Sequence, residues 1–385
     1  MNSSLVACAL LGLFGLSACG SDSSGGGNST AGTAGGGGTS GSGGSTGGAG
    51  GSSGGAGGTS GAGGTAATGG GAGAGGATGV WRPFSDASPW NTKIASDAKL
   101  DPDSQKMIDD LSVSSQWNFL GINIKGYSIP VYWADDSTPK ELVTATYGGE
   151  GFPGQNGQNG QAMVPIPSDA APDPESDHHM LIVHENKAIS WDFWNAVDQG
   201  NTWSCGLCTT SDLLGTGVRP IQQGNPTWYT SAGSRACGFP LIAGLIRVEE
   251  MEAGKIEHAL ILAYPHIRAG YYTPPASTSQ AKVGSDAIKT RGIPCGGRVQ
   301  LDPTLDLDTL GLSASGKIVA RALQEYGAYV GDYSGAINFY ADGSPAAQAK
   351  WDAGLLDTYE IQKQVPLSKL RVIELGTLYD GGNGG

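Results

Sequence analysis

The residues best suited to acid–base chemistry gather in one short stretch, SDHHMLIVHENKAISWDFWNA, residues 176–196. It holds three of the chain's five histidines together with Asp192. Two apolar runs around the polar centre Glu185-Asn186-Lys187 predict a β-hairpin, whose successive side chains point to opposite faces. Loop length then decides which residues meet. A four-residue loop, His184–Lys187, sets His179 directly opposite Asp192, close enough for a cross-strand contact. A three-residue loop, Glu185–Lys187, brings Met180 to Asp192 and gathers His178, Asp192 and Trp194 on one polar-aromatic face. His184 sits at the turn in both registers and is read as solvated.

A fourth histidine lies in KIEHALILAYP (255–265), where His258 shares a face with Ile256, Leu260 and Leu262. Desolvation there disfavours a charged ring unless a carboxylate compensates. Asp192, Glu249 and Glu250 are the candidate carboxylates, the last two on a short helical turn between strands. An imidazole held by a carboxylate, near a second acid and aromatic platforms, is what cleavage of a glycosidic bond requires. Asp192 and Glu249 are therefore the expected acid and base, with His179 and His258 positioning substrate or sharing the proton. Trp191, Trp194, Trp203, Trp228, Tyr271 and Tyr272 could stack on sugar rings, although large aromatic groups also build sandwich cores.

Three alternatives stay open. In a β-eliminating lyase, His258 would take the proton alpha to a uronate carboxyl, and Arg247 or Arg268 would neutralise that carboxyl. A non-catalytic glycan-binding or adhesion protein would use the aromatic groups and leave the histidines structural. No cofactor motif is present, and His179, Asp192 and His258 would hold a divalent metal only if they converge. LDPTLDLD (301–308) lacks the turn glycine of a calcium loop and reads as a solvated loop.

These residues need a scaffold, and strand signals dominate it. Residues 123–134, 180–184, 188–194, 240–248, 255–265 and 335–341 are short, β-branched or aromatic, and punctuated by Gly, Pro or Asn. Helices are few. Asp101-Pro102 starts one through Met107, Ile108 and Leu111. A second runs over 315–326 with an apolar stripe of Ile318, Val319, Ala322, Leu323 and Tyr326, ended by Gly327. The expected fold is mainly β, an antiparallel sandwich of jelly-roll style with short peripheral helices.

The ends and the composition bound the setting. LVACALLGLFGLSAC is an apolar run of export-signal length. It closes on Leu16-Ser17-Ala18-Cys19, a lipobox-like site at which Cys19 would be lipidated, although no Lys or Arg precedes it. A secretory signal cut near Ala18 is the alternative. Residues 20–79 are almost wholly Gly, Ser, Thr and Ala. They cannot bury a core, and such a tether spans roughly 40–46 Å. A domain over 80–380 follows. Asp22 is the only charge before it, so nearly all of the net −13 lies on the domain. That balance argues against nucleic acid or anionic lipid as partner. The expected setting is an exported monomer at the outer membrane or cell surface, touching membrane only through its lipid. Cys205, Cys208, Cys237 and Cys295 then imply two disulfides with three possible connectivities, or a four-thiolate zinc site.

Several phrases resemble a family of exported actinobacterial, myxobacterial and fungal proteins. They are FSDASPWN (84–91), MVPIPSDAAPDPESDHH (163–179), WDFWNA (191–196), FPLIAGLIRVEEMEAGKIEHALILAYP (239–265) and the stretch from QLDPTLDLD to RALQEYGAYVGDYSG (300–335). The resemblance spans nearly all of 81–380. Some family members accompany carbohydrate-binding modules, which implies a polysaccharide substrate. It also raises His179, Asp192, Glu249, Glu250 and His258 above His184, and above His178, where the family pattern has a small residue.

Overall fold

The computed structural model describes residues 79–381, apart from Asn118, Ala269 and residues 153–159, 222–232 and 280–291. The signal, Cys19, the tether and Trp228 lie outside the described residues. The fold is mainly β, with four short helices among the described residues: Ser104–Val113, Val248–Glu252, Ala314–Glu325 and Pro345–Asp352. None is long and apolar enough to cross a membrane.

Two four-stranded sheets face each other. One orders Val131–Ala134, Met180–His184, Ile189–Trp194 and Leu207–Asp212. The other orders Gly160–Pro165, Lys140–Ala145, Thr202–Cys205 and Val197–Asp198. Tyr132, Val143, Phe152, Val164, Met180, Ile182, Phe193 and Trp203 fill the space between them. The opposite face of the first sheet, through Val131, Leu181 and Val183, joins a larger core built on a six-stranded sheet. A strand buried on both faces must be apolar throughout, which is why 180–183 reads Met-Leu-Ile-Val without alternation.

The expected mainly β layers are present, and the strand pairings add four parallel joins. One of them, Val131–Ala134 beside Met180–His184, is closed by a chain excursion that builds part of the facing sheet. The expected 123–134 strand is two strands, Leu120–Asn123 and Val131–Ala134, in different sheets. Residues 240–246 form turns and an isolated bridge rather than a strand.

The cysteines form two disulfides, Cys205–Cys208 and Cys237–Cys295, which removes the zinc alternative. Cys237–Cys295 links residues 58 apart in sequence. Closing a loop of that length restricts the unfolded chain by about 4 kcal/mol. The Cys237→Ser/Cys295→Ser pair should therefore lose about that much in urea unfolding, and the Cys205→Ser/Cys208→Ser pair less than half as much.

Candidate active site

The hairpin adopts neither expected register. Leu181 pairs with Asp192 and Val183 with Ser190, so the loop is Glu185–Ala188. Lys187 takes a left-handed conformation, φ 59°, in that turn. His179 keeps the same face as Asp192 but falls two residues beyond it. His184 ends the strand as a mostly covered ring, with Nε2 3.3 Å from Asp136, rather than a solvated one.

Because that face points into the protein, Asp192 is fully buried. Its Oδ1 accepts from Ser190 Oγ at 2.9 Å, and its Oδ2 accepts from Ser211 Oγ and the Leu241 amide, both at 3.0 Å. Arg219 donates to Ser211 Oγ at 2.9 Å and to Glu150 at 2.6 Å. Burial pushes the Asp192 carboxyl up, and the Arg219 charge with these donors opposes it. With every oxygen engaged and no exposed surface, Asp192 holds the fold together and does not face a substrate chain.

His258 is equally enclosed. Its Nε2 lies 2.9 Å from Glu250 Oε1 and its Nδ1 3.0 Å from the Ala259 carbonyl. Both partners are acceptors, so both bonds form only when both ring nitrogens carry protons. Glu250 also accepts from the Arg247 amide at 3.1 Å and from its Nη2 at 2.5 Å, capping the first turn of the 248–252 helix. Burial would raise the Glu250 carboxyl, but Arg247 and His258 overcome it and hold the group down at about 2. Arg247 is therefore committed to this buried elbow. Glu249 differs, since it meets Arg247 Nη1 at 2.7 Å yet keeps 44% of its side chain open to solvent.

The expected catalytic set thus divides among separate neighbourhoods. His258 bonds within the 248–259 segment, His179 and Asp192 share only Ser234, and among the described residues no group of three His, Cys, Asp or Glu could hold a metal ion. Trp191 and Trp203 pack with the smaller core. Tyr272 is buried and stacks on Tyr379. Arg268 lies over the Tyr271 ring at 4.8 Å. Asp302 and Asp306 accept from nearby backbone amides as turn and cap residues.

One further cluster has the chemistry, and it centres on Asp332, Asp177 and Arg235. Asp332 ends the strand Ala328–Asp332 at a β-bulge, where Leu262 pairs with Val330 but Ala263 pairs with Asp332. Gly331 is the extra residue. A Cβ there would lie 2.1 Å from Ile261 Cδ1, so a larger residue at the bulge that aims Asp332 would have to displace the buried Ile261 side chain. Arg235 Nη1 is 3.6 Å from the Asp332 carboxylate, whose side chain retains 15% exposure. Burial, offset in part by Arg235 and reinforced by the Asp177 charge, pushes Asp332 up to about 7. Asp177 is also pushed up by burial, while a bond from Trp194 supports its charged form.

Arg235 is buried over the face of Tyr340, 4.5 Å from the ring centroid, and donates to the Leu241 carbonyl at 3.3 Å. Its Nε and Nη1 have no hydrogen-bond partner. His179 stands beside it, donating from Nε2 to the Ser234 carbonyl at 3.3 Å with Nδ1 unpartnered. Burial and the Arg235 charge bring His179 down to about 3, so the ring is neutral across ordinary pH. Unsatisfied buried donors and acceptors are rare in folded proteins, and three of them adjoin here. Two signals for this cluster stand in the sequence: the lone Gly331 inside a strand pattern, and Asp177 immediately before the histidine pair.

Asp192→Ala leaves the Leu241 amide and two serines without their acceptor and removes the charge facing Arg219. A destabilisation of about 3–5 kcal/mol in urea unfolding is expected. A loss under about 1 kcal/mol would contradict the network. Among known proteins, no family model, curated protein or solved structure matches the chain.

Proposed function

We propose that this chain is a surface-displayed carbohydrate-active enzyme that cleaves glycosidic bonds, with Asp332 and Asp177 as its acid–base pair. One observation carries the reading. A carboxyl held at about 7 lies at 3.6 Å from a buried arginine and under the influence of a second raised carboxyl. Two carboxyl groups whose surroundings keep one protonated near neutrality are the equipment of glycoside hydrolysis. Asp332 donates its proton to the leaving oxygen. Asp177, its carboxylate supported by the Trp194 indole, activates water or attacks the sugar carbon. Arg235, buried behind Asp332, acts through that carboxyl by setting its charge rather than by touching the sugar. His179 and Asp192 act as positioning residues, since Ser234 bonds to both and precedes Arg235. His258 and Glu249 stand outside this site.

A lyase reading needs Arg247 or Arg268 to neutralise a uronate carboxyl, and Arg247 is already paired with Glu249 and Glu250. Its expected base, His258, is buried with both nitrogens engaged, and this favours hydrolysis. Display follows from the N-terminal segment, with Cys19 lipidated and residues 20–79 as the stalk.

A depolymerisation screen over neutral and uronate-containing glycans, reading reducing ends and unsaturated-uronate absorbance, separates hydrolase, lyase and binding protein. Asp332→Asn and Asp177→Asn should each lose about 10²–10⁴-fold in cleavage while remaining folded. Full activity in both would overturn the assignment. Stability gives an independent reading. Folded Asp332 keeps its proton to about 7, whereas an unfolded aspartate releases it near 3.9. Between these values the unfolded state binds fewer protons, so wild-type stability falls as pH rises through that window. Asp332→Asn should therefore gain in melting temperature relative to wild type at pH 8, and gain nothing at pH 3. Acyl-chain labelling should disappear in Cys19→Ala, with release of the protein from membranes.

A further inference from the structure

Away from Asp332 and Asp177, a cleft of about 540 Å³ is lined by Val80, Trp81, Trp133, Glu185, Lys187 and Glu249. That volume falls in the range of small-molecule sites. Four stretches of chain build it: the segment entering the domain, the Val131–Ala134 strand, the hairpin turn, and the Val248–Glu252 helix. Trp133 is the one outward residue of its strand and is 40% exposed. Trp81 meets it edge-on at 5.6 Å, and the Lys187 ammonium lies 5.5 and 6.0 Å from the two ring centroids. Trp81 is nine-tenths buried, and its indole Nε1 has no partner.

We propose that this cleft binds a neutral sugar chain, as a site sharing no residue with the acid–base pair. A pyranose ring offers an apolar C–H face and an edge of hydroxyls that both donate and accept. The cleft offers the complement: an exposed indole face, two carboxylate acceptors and an ammonium donor. Charge narrows the class. The lining holds Lys187 and Glu185 with opposite charges, and Arg247, shared with Glu250, pairs Glu249 from behind at 2.7 Å, so the walls carry little net charge. Neither a polyuronate nor a polyamine finds a complementary field there. The site shares with the proposed function only the expectation of a glycan, and it binds whether or not the other pair cleaves.

Native affinity electrophoresis tests it, using the full chain with Asp332→Asn or Asp177→Asn to prevent cleavage. The gels contain hydroxyethylcellulose, laminarin or galactomannan as neutral glycans, and polygalacturonate or chitosan as charged ones. Retardation is expected in at least one neutral gel, and should weaken at least tenfold in Trp133→Ala and in Glu249→Gln with unchanged thermal melts. Absence of retardation in every neutral gel, retardation in charged gels alone, or undiminished binding by Trp133→Ala overturns the proposal. Cleavage is read separately on the chain with Asp177 and Asp332 intact. Binding through Trp133 without cleavage keeps this site and removes the acid–base reading. Cleavage with binding indifferent to Trp133 does the reverse.

Discussion

A carboxylate without contact with water organises this protein. Asp192 lies on a sheet buried on both faces, where an unpaired charge would cost several kcal/mol. It is tolerated because Ser190, Ser211 and the Leu241 amide converge on it, with Arg219 behind. Those bonds reach outside the hairpin. The Leu241 amide and the Ser234 hydroxyl, which bonds to the Asp192 carbonyl, bracket the segment that carries Arg235. The same segment is fixed by the Cys237–Cys295 bridge and by the bond from the Cys237 amide to the Gly331 carbonyl. One buried charge, one disulfide and one bulge therefore place Arg235 against Asp332.

That placement leaves the cluster strained electrostatically rather than sterically. Arg235 is buried with Nε unpartnered and Nη1 held only by the 3.6 Å ion pair to Asp332, and His179 has an unpartnered acceptor. A protein optimised for stability alone would have paired or replaced them, because each desolvated polar group left open is unfavourable. Their persistence beside two raised carboxyls is the sort of local cost that reactive sites carry and that the surrounding packing offsets. The Glu250, His258 and Arg247 elbow shows the contrast. It uses equally reactive residue types and leaves Arg247 Nε without a partner, yet its opposite charges meet directly and Glu250 is driven down to about 2 rather than up.

Much of the scaffold was legible in the chain. Apolar periodicity marked the 314–325 helix to within a residue, and short β-branched runs marked the 180–184, 189–194 and 337–340 strands. Periodicity is a local property, so it survives in sequence. The 240–248 run failed as a strand because a continuous apolar segment reads the same whether it is buried as strand or as turns. The candidate site was legible in part. His179 belongs to the cluster now proposed, whereas Asp192 and His258 drew attention by residue type and proved to be enclosed.

By itself, then, the sequence determined a mainly β domain, its cysteine content, its acidic charge and the stretches rich in reactive side chains. Tertiary structure decided which of those side chains face one another. The hairpin is covered on both sides, so Asp192 is enclosed on either face, and the observed register carries His179 two residues past it. Asp177, Arg235 and Asp332 lie far apart along the chain, and their joint electrostatics exist only after burial lowers the local dielectric and packing sets their separation. No local pattern encodes that.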